Sequence, residues 1–364
     1  MPDSTPAVAT NRRHVHPHPE ASAAVPSEVK SINLALQGGG AHGAFTWGVL
    51  DRLLEEPAVA FEGISATSAG AMNAVVLAYG FAEGGRDGAR RALANFWRRV
   101  SHAAATSPLQ PTMLDKWFGN AALEWSPAYL AFDLMTRLMS PYQFNPSNFN
   151  PLKRVLAQAV DFERLRSHCC PIRLFLSATN VRTGRVKLFG NDEVSLEAVM
   201  ASACLPFLFQ AVEIDGEAYW DGGYMGNPAI FPLIYNCDSA DVVIVHINPI
   251  ERAEIPRTAG EIMNRINEVS FNSSLMREMR AIDFVTSLID SGAVADRGLK
   301  RMRLHAIAAH ERMCGFSIAS KLNADWDFLT QLRDIGRETA STWLSAHLGQ
   351  VGHESTVDIR GTYL

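Results

Sequence analysis

The sequence is poor in several features that would have narrowed its class. Cysteine numbers only 5 in 364 residues. Cys169, Cys170, Cys204, Cys237 and Cys314 are odd in number and include no CxxC pair, which argues against a disulfide framework and a zinc site and favours a reducing compartment. Positive charge is also short. Lys and Arg total 33 against 38 Asp and Glu, a net charge of −5, so no basic field exists to gather nucleic-acid phosphates. No uninterrupted apolar run reaches the roughly 18 residues of a membrane span, although contact with a membrane surface stays open. Residues 1–30 are rich in Pro, Ala, Ser and His and lack the apolar stretch of a secretory signal, so they read as a disordered tail. His14, His16 and His18 alternate there without a fold to hold them, and ordering a tail around a metal costs entropy. The expectation is a cytoplasmic protein with no metal or other cofactor, with peripheral membrane contact left open.

The chain does have apolar material: 47% hydrophobic and 20% charged residues are ordinary globular composition, enough for a sizeable core. Ser31 to Gln37 reads as a buried strand, Gly38 to Gly43 as a glycine-rich turn and Ala44 to Glu55 as a helix, with Phe45, Val49 and Leu53 at helical spacing. The pattern recurs: Gly63 to Thr67 is a short strand, Ser68 sits at the turn, and Ala69 to Ala82 is a small-residue helix. Two successive βα units imply a parallel sheet. Residues 103–150 carry Trp117, Phe118, Trp125, Tyr129, Phe132, Met135 and Met139 with several prolines and no strand signal. They read as a helical insertion or cap whose aromatic and Met side chains are expected chiefly in buried packing between helices, an open apolar groove being the other use. A helix is expected near Leu152 to Val160. Strands follow at Ile172 to Asn180 and Arg185 to Phe189 through Thr183-Gly184, then a hairpin from Ala211 to Trp220 with a type I′ turn at Asp215-Gly216. Ala240 to Ile247 suits a central parallel strand. Beyond Pro249 the pattern is mostly helical, with a strand at Met302 to Ala308 and a last helix at Asp325 to His347.

Three segments could carry chemistry. Gly38-Gly39-Gly40-Ala41-His42-Gly43 satisfies GxGxxG between a strand and a helix, where free N–H groups and the helix dipole favour a phosphate or a transient oxyanion. A dinucleotide site would need an acidic residue about 20 positions further on, at the end of the second strand, and Glu62 is read as preceding that strand. Ala66-Thr67-Ser68-Ala69-Gly70 has the form of a nucleophile elbow with Ala66 at the first glycine position, the small residues being needed because strand and helix backbones approach closely there. Ser65 is a rival, lying inside the strand. Asp221-Gly222-Gly223 puts a carboxylate on a flexible loop, able either to accept the Ser68 proton or to cap its own turn.

Taken in order, these segments resemble the patatin-like phospholipases, whose members carry a GGGxxG oxyanion loop, a GxSxG serine and a DGG or DGA aspartate. Further similarity lies in Ser177-Ala178-Thr179-Asn180 with Thr183-Gly184, in Ser202-Ala203-Cys204-Leu205-Pro206, and in Asn227-Pro228. The resemblance covers about residues 32–250 and implies a three-layer α/β/α fold with a central, mostly parallel sheet. Residues 31–250 would then form the catalytic domain and residues 251–364 a mostly helical extension packed on it. It implies a serine acyl hydrolase of lipid esters, using a Ser68–Asp221 dyad without a catalytic histidine or a metal. The oxyanion loop would comprise Gly38, Gly39, Gly40, Ala41 and Gly43, with Gly39 and Gly40 donating and Gly38 and Ala41 shaping the turn. Ala66, Ala69 and Gly70 would form the elbow, and Gly222 and Gly223 the aspartate loop. Two departures stand out: Ala66 replaces a glycine, and His42 stands where many relatives have an arginine, so a partly charged side chain replaces a permanent cation. His42, His246, His305 and His310 are read as packing or surface residues. Two other readings remain: an α/β-hydrolase triad of Ser68, Asp221 and His305 or His310, and a catalytically weak lipid-binding protein of the same fold. The partner in either case is a lipid or simple ester.

Overall fold

The computed structural model describes residues 29–105, 127–167, 170–252, 254–294, 298–317 and 319–364. The tail with its three histidines, Trp117, Phe118, Trp125 and Cys169 lie outside the described residues. The strands are β1 (Lys30–Leu36), β2 (Val59–Ala66), β3 (Arg173–Asn180), β4 (Val186–Phe189), β5 (Val212–Ile214), β6 (Glu217–Asp221), β7 (Asp241–Val245) and β8 (Arg303–Ile307). They form one sheet in the order β5-β6-β3-β2-β1-β7-β8, with β4 also paired to β3. The pairings β3-β2-β1-β7-β8 are all parallel, while β4, β5 and β6 join antiparallel.

Successive side chains of a strand point to opposite faces, and the two central strands show both faces covered. Leu34 and Leu36 of β1, with Val243 and Val245 of β7, enter one apolar core; Ala35, Val242 and Ile244 enter the other. The larger core lies under α1 (Gly43–Glu55), α2 (Ala69–Ala104) and α6 (Trp326–His347), with α3 (Pro127–Leu138) and α4 (Leu196–Ser202) between them in the chain. The smaller core lies under α5 (Ala259–Asp290) and the short helix Phe231–Asn236. The result is a three-layer α/β/α sandwich of the expected class. The hairpin turn also forms as read: Asp215 and Gly216 both have positive φ, 52° and 78°.

The structure corrects three readings. α2 does not end at Ala82. Its backbone leaves helical values only at Gly84 and Gly85 and then resumes, because Ala89, Leu93, Phe96, Trp97 and Val100 recur at helical spacing and bury against the larger core. Glu62 lies within β2 rather than before it, and its carboxylate accepts the N–H groups of Asp238 and Ser239 at 2.6 and 2.7 Å. Such a side chain, engaged with a loop, has no ribose to hold. The third correction concerns the insertion. None of Tyr129, Phe132, Leu134, Met135, Leu138 and Met139 is buried, and Leu138 is 74% exposed. An amphipathic helix pattern is the same whether its apolar face meets a core or an open cleft, so burial was not legible from spacing. The strand expected at Met302 to Ala308 forms as β8 and pairs with β7 at the edge of the sheet. No helix among the described residues is long and apolar enough to cross a membrane.

α1 and α6 touch backbone to backbone. A Cβ on Gly48 would overlap the carbonyl of Arg333, and one on Gly336 would overlap that of Phe45. Gly48→Ala and Gly336→Ala should each therefore cost about 1–3 kcal/mol by prising the helices apart, seen as a lower urea midpoint at unchanged slope.

Candidate active site

The sheet brings the three candidate segments to one end, two after parallel strands and the third after the antiparallel β6. Leu36 of β1 is level with both Ala66 of β2 and Val245 of β7, so the glycine loop after β1 and the Ser68 turn after β2 leave the sheet side by side. Asp221, the last residue of β6, pairs with Ala178 of β3, two residues beyond the Leu176 that pairs with Ala66. Loops at the carboxyl ends of parallel strands are where α/β sheets build their sites.

Ser68 has φ 56° and ψ −122°, a conformation that residues with a Cβ rarely adopt. The surroundings hold it there. Its N–H donates to Ser202 Oγ at 2.9 Å, Thr67 Oγ1 donates to the Gly226 carbonyl at 2.6 Å, and the Gly70 N–H donates to the Thr67 carbonyl at 2.8 Å. Small neighbours make room: a Cβ on Gly38 would lie 2.6 Å from Ser68 Cβ, and one on Gly70 would lie 2.5 Å from the Leu36 carbonyl oxygen. Ala66 is fully buried in the larger core, so its methyl is accommodated by packing. Ser65 is also fully buried and donates its hydroxyl to the Ala229 carbonyl, which removes it as a rival. Ser68 is only half-buried and immediately precedes α2 at its N-cap position, beside the positive end of the helix dipole.

Asp221 is fully buried. Its N–H donates to the Cys204 carbonyl at 2.7 Å, its carbonyl accepts from Thr179 Oγ1 at 2.8 Å, and its Oδ1 accepts the Gly223 N–H at 2.7 Å. Oδ2 makes no full hydrogen bond among the described residues, yet the Ser68 hydroxyl is close enough to stabilise the carboxylate. Burial pushes the carboxyl up to about 7, against the smaller opposing effects of Gly223 and Ser68. Both loop glycines are required by space, since a Cβ on Gly222 would overlap the Ser177 carbonyl and one on Gly223 the Phe271 ring.

The glycine loop divides into anchors and free donors. The Gly38 N–H donates to Asn227 Oδ1 at 2.7 Å, and the Gly43 N–H turns back to the carbonyls of Gly40 and Ala41, so neither is free for a ligand. Gly39 and Gly40 make no N–H hydrogen bond among the described residues, and Gly40 has φ 60°. His42, on the same loop, faces inward: it is buried against Phe316 and Phe328 and bonded to Ser320 Oγ at 2.7 Å. Burial, helped by Lys321, holds its pKa down to about 3, so it is neutral rather than partly charged at neutral pH. The other histidines lie elsewhere. His305 bonds Asp241 and Thr356 at 3.0 Å each, on the edge strand β8, and His246 bonds Tyr363 at 2.6 Å beside His310. Among the described residues no group of three or more His, Cys, Asp and Glu converges as a metal site.

Sequence reading missed the polar supports. Gln37 Oε1 accepts the N–H groups of Ile247 and Asn248 at 2.9 Å each, and Asn248 Nδ2 donates to the Gly38 carbonyl at 2.8 Å. Ser202 and Asn227 sit in segments singled out above, but nothing in their spacing told which backbone groups they bind. An apolar cleft of about 660 Å³ lies between Leu138, Met139 and Pro141 on one side and Thr179, Phe207, Trp220 and Tyr224 on the other, with neither Ser68 nor Asp221 in its lining.

A family model described as patatin-like phospholipase matches residues 34–234. Comparison with curated proteins finds no match. Among solved structures, VipD from Legionella pneumophila is similar at 17% identity and a TM-score of 0.35, over 84% of this chain and 67% of that one. A second is the complex of SpcU with ExoU from the type III secretion system of Pseudomonas aeruginosa, at 14% identity and a TM-score of 0.30, over 92% of this chain and 73% of that one.

Because the folded protein holds the Asp221 proton up to about 7 and an unfolded chain releases it near 3.8, this group makes stability fall as pH rises between those values. Asp221→Asn should therefore melt at a higher temperature than wild type at about pH 8, with the gap closing toward about pH 4. A gap that does not change with pH would contradict the buried, late-titrating carboxyl.

Proposed function

The chain belongs to the patatin-like phospholipase family, and from that premise we propose that it hydrolyses lipid acyl esters through a covalent acyl-enzyme, with Ser68 as nucleophile and Asp221 as general base. The observation that carries this reading is the pairing of a serine on a strained strand-to-helix turn with a buried carboxylate close enough for the serine hydroxyl to stabilise it. Asp221 Oδ2 takes the hydroxyl proton as Ser68 Oγ attacks the ester carbonyl carbon. Negative charge moves to the carbonyl oxygen, where the unbonded N–H groups of Gly39 and Gly40 stabilise it. Collapse of the tetrahedral adduct expels the alcohol, which leaves with the proton from Asp221. Water then attacks the acyl-serine with Asp221 again as base, releasing the fatty acid and restoring the serine. A carboxyl pushed to about 7 suits both halves, since a base near the working pH gives up its proton as readily as it takes it.

The apolar cleft beside Trp220 and Tyr224 supports an acyl chain as the substrate's apolar part. Exposed Leu138 and Phe207, which line it, suit transient contact with a lipid surface. In this reading residues 31–250 carry the chemistry, Thr136 to Pro141 form one wall of the cleft, and the described residues after 250 extend the sheet through β8 and cover the glycine loop.

The test is hydrolysis of phospholipid vesicles and of a p-nitrophenyl ester by wild type, Ser68→Ala and Asp221→Asn, each confirmed folded by circular dichroism. Ser68→Ala should lose about 10³-fold or more, and Asp221→Asn about 10²- to 10⁴-fold. Wild-type kcat/KM should rise with pH through about 7 as Asp221 ionises. Full activity in Ser68→Ala would overturn the assignment, and vesicle binding without fatty-acid release would favour a lipid-binding protein instead.

A further inference from the structure

The turn Ala319–Leu322 lies against the glycine loop although 281 positions separate Lys321 from Gly40 in the chain. A Cβ on Gly40 would lie 2.5 Å from the Lys321 carbonyl oxygen, so the lysine's backbone closes one side of the loop. Its side chain reaches the other end. Lys321 Nζ donates to Asn248 Oδ1 at 2.7 Å, and Asn248 Nδ2 donates to the Gly38 carbonyl at 2.8 Å. That carbonyl belongs to the same peptide group as the Gly39 N–H, an unbonded donor of the loop. Gly38 in turn borders Ser68.

We propose that Lys321 is a positioning residue for this loop, acting through Asn248 to orient and polarise the Gly38–Gly39 peptide so that the Gly39 N–H binds the oxyanion. The inference rests on the reading of Ser68 as the nucleophile and names a residue outside the segment 34–234 matched by the family model. Hydrogen bonds in series polarise one another, so an ammonium at the head of the chain strengthens the N–H at its end. The ammonium is also available electrostatically. Lys321 makes no salt bridge among the described residues, because the nearby Glu268 carboxylate is shared by Arg252 at 2.6 Å and Arg265 at 3.2 Å. His42, on the loop itself, is neutral. The lysine thus supplies positive charge beside a loop whose own basic residue is silent. A purely structural partner for Asn248 would not need a charge, whereas a developing oxyanion is stabilised by one.

The charged groups acting on Lys321 are Glu268 of α5 and Arg252 after β7, while His42 of the loop, which Lys321 helps to keep neutral, adds no charge. Burial, outweighing Glu268, lowers its pKa to about 8. The protonated form is therefore lost as pH rises through about 8, and wild-type kcat should show an alkaline limb there, above the rise through about 7 set by Asp221. Arginine stays charged throughout this range.

The experiment measures kcat and KM for p-nitrophenyl butyrate across the neutral to alkaline range in wild type, Lys321→Met, Lys321→Arg and Ser68→Ala. Lys321→Met should lower kcat by about 10- to 100-fold with KM changed less than about twofold, since the loss falls on the transition state. Lys321→Arg should recover most of that loss and shift the alkaline limb upward. A Lys321→Met protein with kcat within about twofold of wild type would overturn the proposal. If that variant does not fold, the Lys321→Arg profile decides: an alkaline limb unmoved from wild type overturns it equally. Activity surviving in Ser68→Ala would instead sink the nucleophile assignment on which the proposal stands, while a dead Ser68→Ala beside a fully active Lys321→Met would remove only the lysine's role.

Discussion

The geometry of the site hangs on a backbone that changes from strand to helix across Thr67 and Ser68. A side chain at φ 56° is unfavourable in isolation by the order of 1–3 kcal/mol, and it persists only where its surroundings over-determine it. Here they do so through hydrogen bonds that arrive from far along the chain: Ser202 on the Ser68 N–H, Gly226 on the Thr67 hydroxyl, Ala229 on the Ser65 hydroxyl. Each of those partners lies in or beside the segment that delivers Asp221. The same bonds that hold the serine in its strained turn therefore register the carboxylate against it.

Burial governs the electrostatics on both sides of Ser68. Asp221 keeps a high pKa because little opposes its desolvation, one backbone N–H and the serine itself. His42 is driven neutral by the same cause. With no charge of its own, the glycine loop acts in the proposed mechanism through backbone dipoles, and these must be held in place. Asn227 holds the Gly38 N–H and Asn248 the Gly38 carbonyl, so the peptide groups on either side of Gly38 are each held by a side chain while the N–H groups of Gly39 and Gly40 stay free. Preorganised donors of this kind stabilise a developing charge without reorganising at the moment of reaction.

How much of this was legible in the sequence follows from the range of each interaction. The β1–loop–α1 and β2–Ser68–α2 units were readable because strand period, small residues at the turn and helix period are local. The β5–β6 hairpin was readable because Asp215-Gly216 adopts the positive φ values a type I′ turn demands. The full length of α2 was hidden by Gly84 and Gly85, a local stop signal overridden by the burial of Leu93, Phe96 and Trp97. The clamp on Gly38 was hidden for a different reason. Asn227, Asn248 and Lys321 are ordinary polar residues in their own segments, and only the folded sheet brings them to the loop. The exposed apolar face of α3 was not legible either, because periodicity reports which face is apolar and not what covers it.

The central claim is that one serine, Ser68, is activated by its place beside Asp221. The most direct measurement is peptide mapping by mass spectrometry after reaction of the folded protein with a fluorophosphonate. The account predicts a single phosphonyl adduct on Ser68, with Ser65 unmodified because its hydroxyl is buried and bonded to the Ala229 carbonyl. An adduct on any other serine, or a folded protein that takes up none even in the presence of lipid vesicles, would contradict it.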